Sequence, residues 1–178
     1  IANIIKKKIT IKKDINNFLF PNKLSKKVKI HYIDHHISHI ASAYYPSKFE
    51  SAVGLSIDGF GDFCSLCIAK CKEDKIEIID KVFFPDSLGL FYEAFTQFIG
   101  FKNYGDEYKM MGLSSYGKPK YHDVIEKYIF KNEKNINLNL KYFNHTDRNF
   151  SYKFSGEPNQ SQLFNNKIKD IFKINNFK

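Results

Sequence analysis

The spacing of apolar positions changes along the chain, and each change predicts an element. Over residues 4–19, Ile4, Ile5, Ile9, Ile11, Ile15, Phe18 and Leu19 recur unevenly among lysines, which predicts a surface helix. Pro21-Asn22-Lys23 leads as a loop into the run 27–33, which reads as a strand. Asp34 is placed to cap a helix that starts at His35 and stops at Pro46. Residues 52–57 alternate small side chains (Ala52, Gly54, Ser56) with branched ones (Val53, Leu55, Ile57), so this buried strand can admit a helix on one face and fill a core with the other. The segment Asp58-Gly59-Phe60-Gly61-Asp62 turns the chain into a second strand over 64–70, and 76–84 forms a third, ended by Pro85.

Ser87 caps the next helix, whose apolar positions Leu88, Phe91, Ala94, Phe95, Phe98 and Ile99 follow the helical period up to Gly100. A short helix broken by Gly112 and Gly117 follows from Asn103 onward. From His122 the pattern turns polar, with an edge strand over 137–143, a partner for it over 150–154, and a helix over 161–172. The order of strands, helices and turns is that of an α/β domain.

On the helix from His35, His35 and His39 lie one turn apart with Cβ atoms about 5–6 Å apart, which lets two imidazoles converge on one metal ion while His36 points away. As metal ligands both rings would be neutral, which leaves the negative charge to a carboxylate. Asp58 supplies it, at the end of a strand where open α/β sheets place their ligands. Two histidines and one carboxylate suit ferrous iron or zinc; the same spacing also serves surface or core histidines. Gly59 and Gly61 permit a close backbone approach by a phosphate or make an ordinary hairpin. Glu107 and Lys109 could hold a hydroxyl substrate and an anionic group, or be solvated charges. The cysteines Cys64, Cys67 and Cys71 mimic a metal motif, but Cys64 and Cys67 face opposite sides of a strand, which makes them buried free thiols.

With 178 residues the chain is long enough for one core. Its net charge of +9 comes almost wholly from lysines scattered among Asn and Ile, Arg148 being the one arginine, which is not the aromatic-interleaved pattern of a nucleic-acid groove. No stretch is apolar enough to span a bilayer, so neither nucleic acid nor membrane is expected as partner, and a cytoplasmic location is the default.

The runs His35-His36-Ile37-Ser38-His39-Ile40-Ala41-Ser42-Ala43-Tyr44, Asp58 to Asp62, and Glu107-Tyr108-Lys109-Met110-Met111-Gly112-Leu113-Ser114-Ser115-Tyr116-Gly117 resemble, in order and spacing, the signature series of the NodU/CmcH-type O-carbamoyltransferases. Ser87 to Tyr92 is also a familiar stretch of that family. The resemblance covers 33–117; Met110 and the pair Ser114-Ser115 depart from the Leu and Ala-Pro more usual there. It implies a partial actin-like, ribonuclease-H-like ATPase fold, incomplete at both ends. It further implies a fragment of the N-terminal transfer domain over 1–178, with the signature region at 27–120 and a hairpin and polar extension at 121–178. His35, His39 and Asp58 would be metal ligands, with a further ligand downstream and iron ahead of zinc. Gly59, Gly61 and Asp62 would approach the nucleotide or phosphate, and His36, Glu107 and Lys109 would serve the catalysis, His36 as proton acceptor. Carbamoyl adenylate, made from carbamoyl phosphate and ATP in a C-terminal domain of the same chain, would give its carbamoyl group to a hydroxyl of a small molecule or saccharide. A threonylcarbamoyl-transferase-like tRNA-modifying protein, and an inactive fragment or binding module, are the alternatives.

Overall fold

The computed structural model describes residues 11, 13–15, 17–18, 31–131, 136–147, 151–153 and 159–172. The chain divides into two compact units, Ile1–Ile33 and Asp34–Lys178. In the first, residues 11, 13–15 and 17–18 are helical, in keeping with the first predicted helix; the rest of that helix lies outside the described residues. The strand expected over 27–33 also falls largely outside them, and its described residues 31–33 are irregular.

The second unit opens with α1 (His35–Tyr44), capped as the sequence predicts: the Asp34 carboxylate accepts the Ile37 N–H at 3.0 Å. Three strands follow, β1 (Ser51–Gly61), β2 (Cys64–Lys72) and β3 (Lys75–Phe83), in an antiparallel meander of order β1-β2-β3. The sheet is therefore not the open parallel sheet assumed in placing Asp58. Asp58 lies inside β1, where the pairing with β2 is interrupted between Ile57 and Gly61. The chain reverses one step later than expected, at Asp62-Phe63, whose φ values of 53° and 66° suit the two-residue hairpin that right-twisted strands favour.

α1 packs on the sheet face made by the small side chains. Ile40 and Tyr44 meet Cys67, Ala69 and Cys71 there, with Ala52 alongside. A Cβ on Gly54 would stand 2.5 Å from Ile40 Cγ2, so only glycine lets the helix approach this closely. The branched residues of β1 do not fill a core: Val53, Leu55 and Ile57 are 72%, 58% and 50% exposed. The three cysteines are free and buried, and burial pushes the thiols of Cys64 and Cys67 up.

The larger core forms around α2 (Leu88–Phe98), whose cap Ser87 accepts the Leu90 N–H at 3.1 Å. It buries Leu90, Ala94, Phe95 and Phe98 against Ile129, Leu138, Tyr142, Phe143, Leu163 and Ile168. The latter six belong to the stretch read as a polar extension, which is instead half of this core. Past α3 (Glu107–Ser114) and α4 (His122–Ile129), residues 137–143 form no strand: Leu138 makes a single bridge to Phe130 and Leu140–Tyr142 turns as a 3-10 helix. β4 (Tyr152–Lys153) pairs with β5 (Asn159–Gln160), and the helix expected over 161–172 is reduced to α5 (Ile168–Ile171), because Phe164 bridges to Phe143. No helix among the described residues is long and apolar enough to cross a membrane.

Candidate metal centre

α1 presents His35 and His39 on one face, and β1 brings Asp58 up to them. His35 Nε2 stands 2.6 Å from Asp58 Oδ2 and 3.0 Å from His39 Nε2, and His39 Nε2 is 3.7 Å from the same carboxylate oxygen. All three donors lie within 4.8 Å of one another, the one such His/Cys/Asp/Glu group among the described residues. Burial pushes the Asp58 carboxyl up, but the His35 hydrogen bond, the Gly59 N–H at 2.6 Å and the neighbouring imidazoles outweigh it and hold the group below the usual carboxylate range. The residues remain half-exposed, so a ligand could reach them.

The surroundings fix these side chains. The Asp62 carboxylate accepts the His35 N–H at 3.3 Å, which ties the β1–β2 turn to the start of α1. Gly61 lies flat beneath the imidazole: a Cβ there would sit 1.9 Å from His35 Cδ2. Gly61 thus leaves room for a ligand's ring, and Asp62 holds a helix terminus, where phosphate contacts were expected of both. Asp34, besides capping α1, pairs with Lys81 of β3 at 2.7 Å, and the Lys81 hydrogen bond lowers the Asp34 carboxyl while raising the Lys81 ammonium.

His36 faces away from the pair, as its helical position predicts, and is fully buried. Its Nε2–H donates to the Cys64 carbonyl at 2.9 Å, and Nδ1 is hydrogen-bonded to the Ser56 hydroxyl at 2.7 Å. Both ring nitrogens bond to β1 and β2, so His36 ties α1 to the sheet, away from the cleft beside Asp58. Ser56 was read only as a small residue, and no signal short of its sheet position marks it as the partner of His36.

Beside Asp58 opens a cleft of about 560 Å³, lined in part by Gly59, Tyr92, Tyr104 and Glu107. The N-terminal turn of α2 forms one wall: Ser87 Oγ lies 2.8 Å from the Gly59 carbonyl, and a Cβ on Gly89 would come within 2.5 Å of the Asp58 carbonyl oxygen. Gly59 is open on its Cβ side. Glu107 therefore shares a cleft with Asp58, one of the three metal-ligating candidates. Lys109 is turned to Asp106 at 2.7 Å, an ion pair that lowers the Asp106 carboxyl and raises the Lys109 ammonium.

The family model described as "Carbamoyltransferase N-terminus" matches residues 2–175, nearly the whole sequence. The chain belongs to this carbamoyltransferase family. Among curated relatives, the carbamoyltransferase N-terminal chain is 39% identical over 136 residues to the uncharacterized protein sll1178 of Synechocystis, 72% of the chain but 22% of that protein. It is 39% identical over 101 residues to the nodulation protein NolNO of Sinorhizobium fredii, 56% of the chain and 15% of NolNO. To the nodulation protein NolO of Bradyrhizobium diazoefficiens it is 38% identical over 99 residues, 54% of the chain and 18% of NolO. The chain thus spans about a fifth of the length of the curated relatives it matches.

Proposed function

We propose that this chain is the part of an O-carbamoyltransferase that holds a divalent metal, iron or zinc, through His35, His39 and Asp58, and that it takes part in carbamoyl transfer to a hydroxyl. The convergence of two Nε2 atoms and one carboxylate oxygen, in a carbamoyltransferase chain, carries this reading. The donors fit an ion: bonds of about 2.0–2.1 Å in a tetrahedral site would space donors about 3.3 Å apart, and the distances between these three are 2.6, 3.0 and 3.7 Å. Such an ion supplies Lewis-acid activation of a carbonyl.

In the proposed reaction the donor is carbamoyl adenylate, formed from carbamoyl phosphate and ATP in another part of the protein. The acceptor oxygen bonds to the carbamoyl carbon, the bond from that carbon to the AMP phosphate oxygen breaks, and the acceptor proton passes to a base. Glu107 lines the cleft beside Asp58 and offers a carboxylate to an acceptor hydroxyl of a small molecule or saccharide. Lys109, in the first turn of α3, offers a cation suited to an anionic group of the donor once it parts from Asp106. Gly59 leaves space for close approach. We read the antiparallel meander followed by α2 as a portion of an actin-like fold, and the cytoplasm as its setting.

Elemental analysis after exhaustive desalting, on the wild type and on His39→Ala, tests the reading. About one iron or zinc per chain, lost in the variant without loss of fold, is expected. Absence of metal from both proteins would show these histidines to be structural.

A further inference from the structure

The start of α1 is held from two sides. From the β1–β2 turn, Asp62 accepts the His35 N–H. On the other side the Asp34 carboxylate uses both oxygens: Oδ1 accepts the Ile37 N–H at 3.0 Å, and Oδ2 takes the Lys81 ammonium at 2.7 Å. Asp34 stands directly before His35, and its carbonyl accepts the Ser38 N–H at 3.0 Å. The residue that closes the first turn therefore also sets the rotation of the helix that carries His35 and His39. Lys81 comes to it from β3, 47 positions away and separated from β1 by β2. It pairs in register with the fully buried Cys67, and its side chain is only 18% exposed.

An ammonium this far out of water is costly unless its partner is well placed, and apolar residues of the same volume fasten a helix to a sheet at least as well. Ile40 and Tyr44 already do so on Cys67, Ala69 and Cys71. What the ion pair adds is direction, because a charge-assisted bond fixes the orientation of the carboxylate that caps the turn. We propose that Lys81 is a positioning residue for the metal centre: by holding Asp34 it sets the first turn of α1 so that His35 and His39 converge on Asp58. Lys81 itself touches neither an ion nor a substrate. The inference rests on the reading of His35, His39 and Asp58 as metal ligands.

Cobalt(II), titrated into the full-length protein and followed by its visible absorption, is the probe, with His39→Ala as the blank. Lys81→Met removes the charge and keeps the stem, Lys81→Arg keeps a cation, and Asp34→Asn keeps a cap without the charge. In Lys81→Met the cobalt affinity is expected to fall about tenfold, the usual effect of losing an outer-shell partner, and the absorption bands to shift. Lys81→Arg is expected to restore most of both. In the Asp34→Asn background, Lys81→Met is expected to change neither, because the lysine acts through that carboxylate. Urea denaturation of Lys81→Met is expected to stay cooperative; loss of that transition would make the pair a fastener of the fold and overturn the proposal. Wild-type affinity and spectrum in Lys81→Met would overturn it while leaving the metal site standing, and so would an equal loss in the Asp34→Asn background. A wild type that takes up no more cobalt than His39→Ala would overturn the positioning role and the metal site together.

Discussion

His35 keeps its orientation because Gly61 has no side chain, and this makes a test that substitutes none of the proposed ligands. Gly61→Ala puts a methyl group where the imidazole lies, so His35 must move off Asp58. Zinc affinity measured by competition with a chelator is expected to fall at least tenfold. The melting transition should report a loss of only about 1–3 kcal/mol, the usual cost of an overpacked contact. At the same scale His145 makes stability depend on pH. Burial lowers its pKa from the ordinary 6.5, against the opposing pull of the Pro85 carbonyl and of Asp86 and Asp147. The unfolded chain therefore takes up this proton more readily than the folded one. The stabilisation is complete above about pH 6.5 and is lost as pH falls towards the lowered folded value. Thermal melts from pH 7.5 down to 5 should show the wild type losing stability through that window more steeply than His145→Asn.

At the scale of elements, close approach governs the packing of α1 on the sheet. Gly54→Val is expected to cost several kcal/mol, because the new side chain meets Ile40 and the Cys71 sulfur, and urea denaturation would measure it. This contact was legible in the alternation of Ala52, Gly54 and Ser56, as were the Asp34 and Ser87 caps and the pairing of His35 with His39 across one turn. Local chemistry fixes each of these, and a linear sequence displays local chemistry. Two features were not legible because non-local partners decide them. Val53, Leu55 and Ile57 look like core residues in any strand, yet they stay exposed because nothing among the described residues covers them. The burial of His36 was not legible either, because its partners, Ser56 and the Cys64 carbonyl, are distant in sequence.

The whole second unit depends on residues whose sequence looks dispensable. Ile129, Leu138, Tyr142, Phe143, Leu163 and Ile168 are spaced too irregularly among Asn and Lys to show a period, and they meet only when the chain folds back on α2. Two hydrogen bonds hold them there: the Gln97 side-chain oxygen accepts the Leu163 N–H at 2.8 Å, and the Asp86 carboxylate accepts the Leu138 N–H at 2.7 Å. A chain ending at residue 120 leaves Leu90, Phe95 and Phe98 without cover. Calorimetry on it is expected to show no cooperative unfolding transition and strong binding of a hydrophobic dye, although all three signature motifs remain.

The candidate centre forms at the margin of that larger core, where the start of α2 meets Asp58 and Gly59. His35 and Asp58 are 23 positions apart, and the contacts that Gly61, Asp62 and the Cys64 carbonyl make with α1 all come from one hairpin. Closing so short a loop costs little entropy, so this corner can assemble early, before the long excursion to Leu163 and Ile168 is completed. An ion captured there would act as a nucleus for folding as well as a reagent, and a cell short of metal would then make less folded protein as well as less active protein.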